Sequence, residues 1–306
     1  MTTTDEKWPT KPITLVVPYS TGGTADRQAR ALAPYLQEAL GVPILVENRT
    51  GGAGAVGTMS HLQRDPDDGY FLIYQSHPHF DSGIIRGGGY KFTDFDYLGV
   101  THSSPQAIFV KADSKVQTFE DLANWIRSKP GQLTYAMMPG TWSEVVGITI
   151  SDALGVLIRG VPFDGGGPMR TALLGGQVDF LISDIEGTLA GLGDKAKVIA
   201  IGDIKPYPFA PQVPLLNDAV KKVVPNVSFP GMFNMRFVQV KKGFKDKYPD
   251  RWDKLAKAFE GAMANPKFQE WARSQGLYME WIGPDRAESV MKASHSIILK
   301  YQDLFK

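Results

Sequence analysis

The feature that most constrains this chain is an alternation near its N-terminus. Ile13–Val17 is a run that is apolar but for Thr14, opening after Pro12 and closing at Pro18. A run of this kind, bounded by prolines, reads as a strand covered on both faces. Tyr19-Ser20-Thr21-Gly22-Gly23 follows as a loop. From Thr24 the apolar residues fall at Ala25, Ala29, Leu32, Leu36 and Ala39, the three-and-four spacing of one helix face. Pro34 lies inside that helix and is expected to kink it near Arg30, and Gly41 is a suitable stop. Val42–Glu47 reads as a second strand, Ala55–Arg64 as a helix after a Gly-rich turn, and Tyr70–Tyr74 as a third strand. Strand–helix–strand–helix–strand order implies parallel pairing with right-handed crossovers.

The pattern restarts in mid-chain. Leu133–Met137 reads as a strand, Met138-Pro139-Gly140-Thr141 as a loop and Ser143–Leu154 as a helix, with Val178–Ser183 and Val198–Gly202 as further strands. Ala39-Leu40-Gly41-Val42-Pro43-Ile44 closes the first helix, and Ala153-Leu154-Gly155-Val156-Leu157-Ile158 closes the second. The shared order points to two related α/β halves. The C-terminal part is helical: Trp252, Leu255, Phe259 and Met263 share one face, Asn265-Pro266 is a cap followed by Pro, and a last helix runs from about Asp285 to Leu304. Met232–Val240 is extended. Junctions between halves fall near Gly99–Ser104 and Pro225–Pro230.

At 306 residues the chain has room for two domains. Lys and Arg number 33 against 32 Asp and Glu, so no field collects nucleic acid or anionic membrane. With no cysteine there is no disulfide, thiol nucleophile, Cys-ligated zinc or iron–sulfur cluster. No apolar run reaches the length of a membrane span. The polar stretch Met1 to Lys7 lacks the pattern of a signal peptide, which fits either a cytosolic protein or a mature form whose leader was replaced by Met1.

Several motifs bear on chemistry. The loop from Pro18 to Gly23 precedes a helix N-terminus, where amide donors and the dipole favour an anion, and Gly22 and Gly23 let backbone approach a ligand. Asp26 falls in the first helical turn. Pro139 to Trp142 is the counterpart in the second half. Gly52, Gly54 and Gly57 spell G-x-G-x-x-G, the fingerprint of an NAD-linked oxidoreductase. It follows the second strand rather than the first, and the third strand ends Tyr74-Gln75-Ser76 with no acidic ribose ligand, so a tight glycine turn is preferred. His77-Pro78-His79-Phe80-Asp81 reads as a loop whose only third ligand within reach is Asp81, with no other His or Glu cluster joining it, so we expect no metal. A protonated histidine there would favour an anion as pH falls. No G-x-S-x-G elbow is present, and we assign no catalytic residue. Asp184 and Glu186 read as caps and acceptors. Tyr19, Trp142 and Phe163 are aromatic residues at loop positions, and the flat Trp142 ring is expected to be partly wet and to cover a planar acid.

An ordered set of short matches resembles the solute-binding receptors of tripartite tricarboxylate transporters. It comprises Trp8-Pro-Thr-Lys-Pro-Ile13, Val17-Pro-Tyr-Ser-Thr-Gly-Gly23 with Asp26 and Ala29-Arg30, and Val46-Glu-Asn-Arg49. It continues with Asp68-Gly-Tyr70, Val161-Pro-Phe-Asp-Gly165, Leu174-Gly-Gly-Gln-Val-Asp179 and Pro211-Gln-Val-Pro214. The resemblance implies an α/β, two-lobed periplasmic-binding-protein (Venus flytrap) fold. Each lobe would be a mostly parallel sheet flanked by helices, with two crossing strands as hinge. Residues 1–101 and 229–306 would form lobe one and 102–228 lobe two. A small carboxylic acid, aliphatic or aromatic, would be captured in an interlobe cleft without cofactor or metal, then delivered by a periplasmic monomer to membrane transporter subunits. The ligand residues it implies are Tyr19, Ser20, Thr21, Gly22, Gly23, Thr24, Gln75, Ser76 and His77 in lobe one. In lobe two they are Pro139, Gly140, Thr141, Trp142, Phe163 and Asp184. Ser20 stands where the family usually has Pro, and bulky or imidazole side chains stand at 137–142 and 75–79 where small residues are usual. The rival reading is the NAD-linked oxidoreductase on Gly52–Gly57; a cytosolic sensor is a third.

Overall fold

The computed structural model describes residues 7–203, 205–229 and 231–306. In chain order its first elements are β1 (Ile13–Val17), α1 (Thr24–Leu40), β2 (Ile44–Asn48), α2 (Ala55–Arg64), β3 (Phe71–His77), α3 (His79–Ile85) and β4 (Phe95–Lys111). Then come α4 (Phe119–Ser128), β5 (Thr134–Met137), α5 (Trp142–Leu154), β6 (Arg159–Pro162), α6 (Gly166–Leu174), β7 (Phe180–Asp184), α7 (Ile185–Leu192) and β8 (Ala196–Ile201). The chain closes with α8 (Leu216–Lys221), β9 (Phe233–Lys241), α9 (Phe244–Lys247), α10 (Pro249–Ala264), α11 (Pro266–Ser274), β10 (Met279–Ile282) and α12 (Pro284–Lys300).

Two compact units divide the chain. Unit 1 is Met1–Ser103, Met235–Ser274 and Met279–Ile298; unit 2 is Ser104–Asn234, Gln275–Tyr278 and Leu299–Lys306. In unit 1, β1 lies between β2 and β3 and is parallel to both, with Ile13 beside Ile44 and Leu15 beside Leu72. All five residues of β1 are buried, as a strand covered on both faces requires. β9 adds antiparallel to β3, setting Tyr74 opposite Val238 and Ser76 opposite Arg236. β10 pairs antiparallel with the first half of β4.

The expected helix α1 runs through Pro34 and buries Ala25, Ala29, Leu32, Leu36 and Leu40. Leu40, not Ala39, takes the last inward place, one helical step beyond Leu36. Burial of each such leucine contributes about 1.5–3 kcal/mol. Tyr35 meets Phe268 of α11 edge-on at 5.8 Å, so the C-terminal helices cover this face.

In unit 2, β5 is parallel to both β6 and β7, and the second half of β4 is antiparallel to β7 and β8. Phe109, Ala136, Met169, Leu173, Leu181 and Ile185 form the heart of its core. The Ala-Leu-Gly echo has a structural counterpart: Gly41 ends α1 with φ +73° and Gly155 ends α5 with φ +63°. Both are left-handed caps that favour glycine.

Candidate ligand site

The loop after β1 closes on itself before α1 begins. Gly22, at φ +81°, donates its amide to Oδ2 of Asp26 at 2.8 Å, and the Gly23 amide donates to the Ser20 carbonyl at 3.2 Å. Asp26 is buried and also accepts from Arg30 Nε at 2.9 Å and Asn48 Nδ2 at 3.0 Å. Burial pushes its carboxyl up. The Gly22 amide, Asn48 and Arg30 outweigh that and hold it below the usual carboxylate range. Both glycine amides, expected to face a ligand, have acceptors within their own loop here. The groups left at the mouth are the exposed Ser20 and Thr21 and the half-buried Thr24, together with first-turn amides that have no acceptor inside the helix.

Tyr19 ties this loop to the end of β3. Its hydroxyl lies 3.2 Å from both Gln75 Oε1 and the Ser76 carbonyl, and accepts from the Ser76 amide at 3.1 Å. Burial pushes the phenol pKa up, so the hydroxyl keeps its proton for donation. Gln75 in turn donates to Thr58 Oγ1 at 2.9 Å, and Thr58 donates to the Gly54 carbonyl at 2.8 Å.

The G-x-G-x-x-G stretch is part of this packing. A Cβ on Gly54 would stand 2.8 Å from Tyr19 Cε1, and one on Gly57 would stand 2.2 Å from the Arg49 carbonyl. These glycines make room for the Tyr19 ring and for close passage of α2 against the β2 loop. The tight-turn reading accounts for them.

His77 ends β3 fully buried, with Nδ1 2.6 Å from Asp81 Oδ2. Asp81 is also buried, and its other oxygen lies 2.5 Å from His295 Nδ1. Burial raises the Asp81 carboxyl, and the two imidazoles more than reverse that. The 77–81 segment is therefore not the expected loop: it spans the end of β3 and the first turn of α3. Its first turn is where Asp81 belongs on helix-dipole grounds. His79 opens α3, half-buried, with Nδ1 3.4 Å from Ser76 Oγ. Burial first, then the charges of Arg236, His77 and Arg86, lower its pKa to about 4. That shift favours the neutral imidazole of His79 at physiological pH.

The second loop repeats the construction of the first. Gly140, at φ +67°, donates its amide to Glu144 Oε2 at 2.8 Å, four residues on, as Gly22 does to Asp26. Met138 donates its amide to Ser143 Oγ at 2.9 Å, and Thr141 Oγ1 donates to the Met138 carbonyl at 2.7 Å. Pro139 is exposed; Gly140 and Thr141 are half-buried.

Trp142 corrects the sequence expectation. It is the first residue of α5, is 0% exposed, and its indole Nε1 donates to the Phe233 carbonyl at 2.8 Å. It is a core anchor and not a wet loop ring. Phe163 is half-buried just past β6, its amide donating to the Met137 carbonyl at 3.0 Å. Asp184 caps α7 by accepting from the Gly187 amide at 2.9 Å, and Glu186 accepts from Tyr207 Oη at 2.7 Å and the Tyr278 amide at 2.9 Å. The structural roles expected of this pair account for both.

Within unit 1 the hydrogen bonds bring Tyr19, Gln75 and Ser76 together, with Thr21 Oγ1 3.2 Å from Asn48 Oδ1 at the end of β2. Within unit 2, Pro139–Trp142 and Phe163 follow the C-terminal ends of β5 and β6 and Asp184 is the last residue of β7, three adjacent parallel strands. That edge is where open α/β sheets hold ligands. Arg236, half-buried, stands opposite Ser76 in the β3–β9 ladder. A hollow of about 770 Å³ in unit 1 is lined by Glu47, Arg49, Val56, Met59, Gln63 and Arg64 and involves none of the expected residues. Among the described residues no group of three or more His, Asp or Glu side chains could hold a metal ion, and no helix is long and apolar enough to cross a membrane.

Residues 28–288 match the family model described as tripartite tricarboxylate transporter family receptor. A UPF0065 protein of Agrobacterium vitis is 31% identical over 185 residues, 60% of this chain and 54% of that one. Protein BugT of Bordetella pertussis is 29% identical over 192 residues, 61% of this chain and 58% of that one. The matched part thus spans little more than half the length of these relatives. Among solved structures, a TctC solute binding protein from Polaromonas superposes with TM-score 0.82 at 21% identity, covering 97% of this chain and 99% of that one. The periplasmic binding protein BugD gives TM-score 0.70 at 25% identity, with coverage of 97% and 99%. An R. palustris protein solved with adipate gives 0.74 at 24% identity, with coverage of 98% and 98%.

Proposed function

This chain belongs to the tripartite tricarboxylate transporter receptor family, a family of solute-binding receptors and not of enzymes, and from that premise we propose that it captures a small carboxylic acid in the periplasm. The observation that carries the reading is the pair of strand-end loops, each set by a left-handed glycine whose amide is locked to a first-turn carboxylate four residues on. A loop fixed in this way keeps its remaining amides and hydroxyls pre-aimed, so little ordering cost opposes binding. In unit 1 the ligand groups are Ser20, Thr21 and Thr24, backed by Tyr19, Gln75 and Ser76. In unit 2 it is Thr141, flanked by Pro139, Gly140, Phe163 and Asp184. Adipate in the R. palustris neighbour illustrates the size of acid that the fold holds. The captured acid passes to membrane transporter subunits, and the receptor acts as a monomer without cofactor.

A thermal-shift screen of aliphatic, aromatic and heteroaromatic mono- and dicarboxylates, with NAD alongside, tests this. The reading predicts that at least one acid raises Tm by several degrees and that NAD leaves it unchanged. Stabilisation by NAD alone would return the oxidoreductase reading on Gly52–Gly57.

A further inference from the structure

We infer that Thr21 offers the ligand a hydrogen-bond acceptor and not a donor, and that the receptor therefore selects acids carrying a hydroxyl beside the carboxylate over the same acids without it. The inference rests on the carboxylate-receptor reading above and names the substrate class within it. Thr21 and Gly22 are the central residues of a turn closed by the Gly23 amide on the Ser20 carbonyl at 3.2 Å, with Gly22 at φ +81°. Thr21 is exposed on that turn, just before Gly23 caps α1.

Asn48, at the end of β2, sets the direction of the Thr21 hydroxyl. Its Nδ2 donates to the Tyr19 carbonyl at 2.9 Å and to Asp26 Oδ1 at 3.0 Å, and both of those oxygens can only accept. The side-chain amide therefore fits one way round. A flipped Asn48 would set its oxygen against those two oxygens and its amino group against the Arg30 guanidinium. Its Oδ1 accepts from Arg30 Nη2 at 2.9 Å and from Thr21 Oγ1 at 3.2 Å. The single hydroxyl proton of Thr21 is thus spent on Asn48, and what remains on Oγ1 for a ligand is lone pairs.

The loop therefore has two polarities. The first-turn amides of α1 donate, which suits a carboxylate, and Thr21 Oγ1 accepts, which does not. The Gly22 and Gly23 amides between them are already engaged. An acid seated on the first-turn amides strips water from Thr21. A plain acid leaves Oγ1 without a donor, and a hydroxyl close to the carboxylate supplies one. Asn48 Oδ1 also carries the Arg30 guanidinium, so a neutral hydroxyl suits this place better than an ammonium group.

The test uses acids of one skeleton with and without a 2-hydroxyl: lactate and propionate, malate and succinate, 2-hydroxyadipate and adipate, mandelate and phenylacetate. The 2-amino analogue of each skeleton is run alongside. Thermal shift on wild type selects the skeleton that raises Tm most, and calorimetry follows with wild type, Thr21→Val and Thr21→Ser. Wild type is expected to bind the hydroxy acid about tenfold tighter than either the plain acid or the amino acid. Thr21→Val, close to Thr in shape, should cut the preference over the plain acid to under about threefold and hold the plain acid within about threefold of wild type, while Thr21→Ser keeps the preference. Equal affinity of wild type for hydroxy and plain acid, tighter binding of the amino acid, or a preference unchanged in Thr21→Val overturns the inference and leaves the receptor reading standing. So does a Thr21→Val that weakens both acids alike, which would make Thr21 a donor to the carboxylate. Stabilisation by some other acid and by none of these skeletons overturns it as well. If no acid binds wild type, the receptor reading fails and takes the inference with it.

Discussion

The amide of Gly22 donates to Oδ2 of Asp26 across 2.8 Å, so the carboxylate nearest the N-terminus of α1 belongs to the protein itself. Asp26 holds the loop's conformation while drawing on Arg30 and Asn48 for its own neutralisation. Asp26→Ala leaves three donors without their acceptor. It should destabilise the protein by about 3 kcal/mol and weaken acid binding, because the loop is no longer set before the ligand arrives. Urea unfolding and calorimetry on the same variant check this; an Asp26→Ala protein of wild-type stability contradicts the lock.

Gly54 makes room for the Tyr19 ring at φ +104°, where an L side chain is also strained. Gly54→Val should therefore displace Tyr19 from Ser76 and lower acid affinity by about tenfold or more, although residue 54 is not itself expected to touch the ligand. Tyr19→Phe keeps the ring and removes only the hydroxyl contacts, so it should show a smaller loss. Calorimetry ranking the two in the opposite order would refute the packing role given to this glycine.

Trp142 is enclosed, with its indole N–H on the Phe233 carbonyl. Trp142→Phe should cost about 1–3 kcal/mol of stability through the unpaired carbonyl and lost volume. Any ligand-dependent change in tryptophan emission should survive in that variant. Loss of the emission change in a stably folded Trp142→Phe would restore the ring to the ligand.

His79 carries a pH prediction. Its pKa is about 4 when folded and near 6.5 in an unfolded chain. Between those values the unfolded state binds the extra proton, so stability falls as pH drops from about 6.5 to about 4 and is regained as pH rises. The slope is about 1.4 kcal/mol per pH unit from this group within that window. His79→Asn should flatten it in urea unfolding measured across the window. His79 stays neutral from about pH 7.5 to 6, so it gives acid affinity no rise over that range. A steep rise that vanishes in His79→Asn would show that the imidazole is charged and on the ligand.

The alternation of strand and helix was legible because periodicity reports burial directly: Ile13–Val17, Ala55–Arg64 and the caps at Gly41 and Gly155 stand where pattern and glycine placed them. Less legible was the state of particular groups. Gly22 and Gly140 advertise loops that approach ligands, but only the fold shows that Asp26 and Glu144 have taken their amides. Trp142 sits next to a Pro-Gly turn, and sequence spacing does not distinguish the last loop residue from the first helical one, whose ring can turn inward. The buried His77 and Asp81 join the half-buried His295, more than two hundred positions away, in one cluster that no local motif announces.

A crystal structure with the tightest-binding acid is the most direct test of the central claim. The account predicts a ligand carboxylate within hydrogen-bond distance of polar atoms in Ser20–Thr24. An acid found only in the hollow lined by Glu47, Arg49 and Arg64, with the 20–24 loop untouched, would contradict it.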